Sequence, residues 1–273
     1  MNKKLLMTTA AVVIFLTLSG HALTNTSAST VKTAAVDPSD EIYQTSTINS
    51  LMQGVYDGST TIKELKRHGN FGVGTFNGLD GEMIFLNGQV YQVKSTGKVK
   101  VATNTQKTPF NDVDFFKANK KFTLTDIKSI NDLEGKLDKQ LPSQNIFYAF
   151  RIKGNFSYEK TRSVSKQTKP YIALSEAAKY QKYFEKNNVS GTILGYKCPA
   201  YSNGVSVAGY HLHFLSDNRK FGGHEIDCKA NKVTVEVQYL YKLDLNLPND
   251  KDFLNANLSK DQSSDVKKVE SGK

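Results

Sequence analysis

The 273-residue chain has no tryptophan, only two cysteines and five histidines, and no arginine-rich stretch. With Cys198 and Cys228 alone there is no disulfide framework, and no CxxC pair for a zinc ribbon or a thioredoxin-like redox site. The two thiols either bridge or stand free. Past the first twenty residues no apolar run is long enough to cross a bilayer. The net charge is +10, but the lysines are scattered and no RNP-type aromatic motif accompanies them, which argues against a nucleic-acid binder. Internal repeats and low-complexity blocks are also missing. What remains is a basic chain long enough for one large or two small domains with a proper core.

The N-terminus is the first positive feature. MNKK precedes the uncharged apolar run LLMTTAAVVIFLTLSG, and small polar residues follow. That is the layout of a secretory signal peptide over residues 1–22, with the cut after Ala22. The segment 18-LSGH-21 has His21 where a lipoprotein site needs cysteine, so lipidation is excluded. Removing Lys3 and Lys4 with the peptide lowers the net charge by two, from +10 to +8. A secreted, extracellular location is expected, with residues 23–41 as a flexible leader.

Periodicity then outlines an α+β (mixed α/β) chain with mixed or antiparallel sheets. Ile48, Leu51, Met52 and Val55 recur at helical spacing, and a second helix is expected over 61–69. Residues 70–99 alternate between glycines and read as strands joined by turns such as Asn87-Gly88. Helices are expected over 125–141 and 172–187. Strands are expected over 145–164, 189–196, 208–215, 223–228 and 232–247. Residues 249–273 are polar and have the composition of a disordered tail.

Three of the five histidines fall in 207-VAGYHLHFLSDNRKFGGHEIDCK-229. On a strand, residues two apart share a face, so His211 and His213 point the same way. The loop 216–223 returns the chain and brings His224 beside them. Three neutral imidazoles on a rigid hairpin make a metal site with room for substrate or water. His68, at a helix end after Lys66 and Arg67, reads as structural. A cupin fits poorly, because no carboxylate ligand stands at the needed spacing. Read in isolation, Glu82 is a turn-side carboxylate, Arg162 a solvated cation and Glu270 a tail charge.

Taken together, 46-STINSLMQG-54, 72-GVGTFNGLDGEM-83, 161-TRSVSKQTKPY-171, 208-AGYHLHF-214 and 222-GGH-224 resemble the bacterial acetolactate decarboxylases, from about Tyr43 onward. That resemblance implies conversion of acetolactate to acetoin and carbon dioxide with a zinc ion as Lewis acid. It implies a homodimer and two α/β domains with the metal site near their junction. On this chain these are an N-terminal α/β domain over 42–165 and a β-rich metal-binding domain over 166–273, whose tail returns to the site. It assigns His211, His213, His224 and Glu270 to the metal, Glu82 and Arg162 to catalysis, and Thr75 and Arg162 to the substrate. Two other classes fit the histidine pattern: a secreted zinc hydrolase with Glu82 as base, and a non-enzymatic metal-binding protein.

Overall fold

The computed structural model describes residues 40–272. The expected signal peptide, 1–22, and positions 23–39 of the expected leader lie outside the described residues. In chain order the elements are β1 (Glu41–Thr45), α1 (Ile48–Met52), β2 (Thr60–Thr61), α2 (Ile62–His68), β3 (Phe71–Thr75), β4 (Glu82–Leu86) and β5 (Gln89–Val93). Next come β6 (Val99–Val101), β7 (Lys107–Thr108), β8 (Asn111–Asp114), β9 (Lys120–Ile127), α3 (Ile130–Asp138) and β10 (Phe147–Ser163). The remainder is α4 (Leu174–Ala177), β11 (Lys182–Cys198), β12 (Gly209–Ser216), β13 (Gly222–Leu240), β14 (Lys242–Asn246), α5 (Lys251–Asn255) and α6 (Ser263–Ser271).

Two main sheets carry the fold, as the mixed α/β expectation requires. The first has seven strands in the order β14-β1-β8-β3-β4-β5-β6. Its ladders are antiparallel except β1–β14. The second runs β10-β11-β12-β13-β9, and an added β10–β13 ladder closes β10, β11, β12 and β13 into a ring with β9 attached to β13. The division expected at residue 165 does not separate the sheets. β9 and β10 precede that point yet belong to the second sheet, while β14 follows it and joins the first. The cause is strand pairing at long range, which local composition does not record.

The sheets pack face to face. Phe71, Val73 and Ile84 from the first meet Ala149, Leu194, Tyr196 and Leu215 from the second in one apolar cluster. β3 and β4 are buried at every position, because a further cluster containing Ile62, Leu65, Met83 and Phe85 covers their other face. Each such side chain contributes about 1.5–3 kcal/mol on burial. A third cluster gathers the short helices: Ile48, Leu51 and Met52 of α1, Leu174 and Ala177 of α4, and Val266 and Val269 of α6.

Three expectations need correction. The helix over 172–187 stops early: α4 and one 3-10 turn end at Tyr180, and Lys182–Asn187 is strand, held by its pairing with β10. The first helix spans only Ile48–Met52, because Gly54 adopts φ +86°, a left-handed conformation that suits glycine and ends the turn. The tail is ordered rather than disordered, since α6 buries Val266 and Val269. Both cysteines are free and buried. His68 stacks on Tyr43 with ring centroids 3.8 Å apart, in keeping with its structural reading.

Candidate active site

Register builds the site. His213 lies directly opposite His224 in the β12–β13 ladder, and His224 directly opposite Arg162 in the β13–β10 ladder. Opposed residues share a sheet face, so imidazoles and guanidinium point into one space, with His211 two residues from His213 on the same side. Close backbone approach is needed here: a Cβ on Gly223 would stand 2.5 Å from the Arg162 carbonyl oxygen. Glycine at 223 therefore lets β13 lie against β10 at the point where His224 is set.

The three histidines are buried, and one ring nitrogen from each falls within 4.8 Å of the others. His213 Nδ1 is 2.8 Å from the Met83 carbonyl. A carbonyl only accepts, so Nδ1 carries the hydrogen and Nε2 keeps its lone pair. That Nε2, and Nδ1 of His211, are buried without a partner. His224 Nε2 hydrogen-bonds the Glu270 carbonyl at 2.9 Å. Burial holds all three imidazoles neutral: it brings His211 down to about 3 and His213 and His224 well below the usual range, with Arg162 adding to the effect. Three neutral, converging imidazoles, two with an unpartnered ring nitrogen, are the donor set a late transition metal takes. The residues therefore fit a metal ion.

Glu82 and Glu270 flank this seat. Glu82 Oε2 is 3.8 Å from His213 Nε2, and Glu270 Oε2 is 3.6 Å from His224 Nε2 and 4.0 Å from His211 Nε2. Arg162 Nη1 meets Glu82 Oε1 at 3.3 Å, Nη2 donates to the Val269 carbonyl at 3.2 Å, and Nε is buried without a partner. Glu82 also accepts from the Val164 N–H at 3.2 Å. Burial raises the Glu82 carboxyl to about 7 against the pull of Arg162 and that N–H, and raises Glu270 likewise to about 7. Thr75 pairs with Glu82 across β3–β4, and its hydroxyl donates to the Gly81 carbonyl at 2.9 Å, steadying the turn that delivers Glu82.

Of the site's polar side chains, all except His213 line one cavity. Its opposite wall is apolar: Ile48, Leu51, Leu79, Phe110, Val164, Leu174 and Val269. The sequence reading placed the seven polar residues now found together. It missed this wall and the contributing backbone carbonyls of Met83, Val269 and Glu270. The i, i+3 spacing of Val266 and Val269 was the available signal for α6; nothing local marks a carbonyl.

Fold and site define a class: a two-sheet α/β protein with a buried three-histidine metal seat, two carboxyl groups and an arginine facing an apolar wall. Comparison with known proteins makes this particular. The family described as Alpha-acetolactate decarboxylase matches residues 42–260, and the chain belongs to that family. It is 45% identical over 232 residues to the alpha-acetolactate decarboxylase of Methanosarcina mazei, covering 85% of this chain and 81% of the relative. It is 42% identical over 234 residues to that of Bacillus subtilis strain 168, covering 85% and 92%. The crystal structure of the B. subtilis strain 168 protein superposes with a TM-score of 0.82 at 41% identity, covering 85% of this chain and all of that one. A Staphylococcus aureus protein, described as of unknown function and similar to alpha-acetolactate decarboxylase, superposes with a TM-score of 0.80 at 32% identity, covering 84% and 99%.

Proposed function

We propose that the protein decarboxylates 2-acetolactate to acetoin and carbon dioxide, with a zinc ion held by His211, His213 and His224 and approached by Glu270. The observation that carries this is the buried convergence of three neutral imidazoles, two of them with an unpartnered ring nitrogen, beside Arg162. Bound there, zinc supplies Lewis acidity for the negative charge that develops on the ketone oxygen.

The chain's own groups do the rest. Arg162 has one unpaired donor, Nε, and a planar fork held from two sides, so it receives the substrate carboxylate in a fixed orientation. The apolar wall takes the two methyl groups and excludes water. When the carbon–carbon bond to the carboxylate breaks, its electron pair stays with the substrate, and one proton must be returned to that carbon. Burial raises the Glu82 carboxyl toward neutrality, which favours its protonated form, and its position beside the histidines lets it give that proton. The sum is acetolactate anion plus one proton to acetoin plus carbon dioxide. Thr75 serves the substrate side by fixing the Glu82 turn.

Purified, zinc-loaded protein incubated with acetolactate should release carbon dioxide and form acetoin in equal amounts. Hydrolysis of an ester or amide panel instead would support the zinc hydrolase with Glu82 as base, and metal binding without turnover the non-enzymatic reading. Export under residues 1–22 and assembly into a homodimer belong to the same proposal. They are supported by the layout of the leader and by the family resemblance, and tested by N-terminal sequencing of the exported protein and by light scattering.

A further inference from the structure

The row that sets the site extends one strand further. Tyr183 on β11 lies directly opposite Arg162, which lies opposite His224, which lies opposite His213. Four adjacent strands thus present four side chains from one face. Three of them grip the same object. The last carbonyls of a helix lack partners in the following turn, and at the end of α6 this row supplies side-chain donors to them, in addition to the Gly272 N–H that reaches the Val269 carbonyl at 3.4 Å. Arg162 Nη2 donates to the Val269 carbonyl at 3.2 Å, His224 Nε2 hydrogen-bonds that of Glu270 at 2.9 Å, and the Tyr183 hydroxyl donates to that of Gly272 at 3.0 Å.

α6 is also a partition. Val269 lines both the site cavity and a groove on the other side of the helix, where Tyr183, Lys179 and Lys268 stand. The N-terminus of α6 has no side-chain cap. Arg162 and His224 belong to the site, whereas Tyr183 is 43% exposed and does not line the cavity.

We propose that Tyr183 is a positioning residue for this reaction: its hydroxyl latches the end of α6 through the Gly272 carbonyl and so keeps Glu270 at the histidine seat. The inference rests on the reading of that seat as a zinc site, but the latch itself has an independent readout. Lys267 and Lys268 are exposed on α6, and trypsin cuts after them only when the helix lifts away.

In the full-length, zinc-loaded protein, Tyr183→Phe keeps the ring and removes the hydroxyl, with its bond to the Gly272 carbonyl and the one it accepts from Gln181 outside α6. Cleavage after Lys267 and Lys268, followed by mass spectrometry, should quicken about two- to tenfold, the range expected for losing one such hydrogen bond when opening is fast relative to cutting. Zinc loss to a chelator should quicken by a similar factor, while the thermal midpoint and cleavage elsewhere stay as in the parent. A variant lacking residues 272–273 should show the same acceleration, and adding Tyr183→Phe to it should change nothing more. Wild-type cleavage in Tyr183→Phe overturns the latch, as does an effect that persists in full without residues 272–273. Faster cleavage with unchanged zinc loss overturns the link to Glu270. Parent protein that binds no zinc and forms no acetoin defeats the reading of the site instead, and leaves the cleavage result standing.

Discussion

The Arg162 guanidinium meets the Glu82 carboxylate at 3.3 Å although 80 residues separate them, and side-chain exposures of 4% and 8% leave neither to water. One partner comes from each sheet, so the contact exists only when the sheets are packed. Arg162→Lys keeps the charge and loses the fork. A charge-assisted hydrogen bond contributes about 1.5–3 kcal/mol, so acetoin formation should slow about ten- to a hundredfold with zinc content unchanged. Full activity would take Arg162 out of the chemistry, and lost zinc would make its role structural.

His213→Ala removes a ring nitrogen that has no other partner and also the bond to the Met83 carbonyl. Elemental analysis after dialysis should show loss of the one zinc expected per chain, with activity lost in parallel. Retention of stoichiometric metal would mean that His211 and His224 suffice, against the three-ligand seat.

Glu270→Gln keeps the shape of the side chain and the burial of α6 but withdraws the charge that faces the histidines. Zinc should be held more weakly and turnover reduced at sub-saturating zinc, while circular dichroism and thermal midpoint remain those of the parent. If zinc affinity is unaffected, Glu270 is not part of the seat.

Glu159 and Glu225 test pH dependence away from the cavity. Among the described residues no other donor reaches any of their four buried oxygens, and a proton held between the two carboxyls satisfies one oxygen of each. Burial is the main cause: it pushes Glu159 well above its ordinary 4.5 and Glu225 up to about 8. Between about pH 4.5 and 8 the folded state therefore binds more protons than the unfolded one, and stability falls as pH rises through that window. Glu159→Gln replaces the shared proton with an amide N–H. Its thermal midpoint should exceed the parent's at pH 8 by a few degrees, at about 2–4 °C per kcal/mol, and the gap should close near pH 4.5. A gap that is constant with pH would rule out the shared proton.

Much of this was legible in the sequence, for a physical reason. Residues that act through a local pattern announce themselves: HxH places two imidazoles on one face by the pleat alone, and 61–69 carries its own N-cap and terminal glycine. What escaped was decided by distant partners. Lys182–Asn187 has helical spacing, yet it is strand because β10 lies beside it. The strands expected over 223–228 and 232–247 leave a gap between them, yet β13 runs unbroken through it because β9 and β10 flank it. Glu82, Arg162 and Glu270 are ordinary charges until two sheets and a helix enclose them, so only their resemblance to a family picked them out.

The hairpin that holds the three histidines has a consequence for the order of assembly. His211 and His224 lie within fourteen residues of each other, so bringing them together closes a short loop at small entropic cost. Arg162, Glu82 and Glu270 join only after contacts of far greater sequence separation have formed, and such contacts arrive late. The three histidines can thus be gathered on one hairpin before the distant residues that surround them are in place.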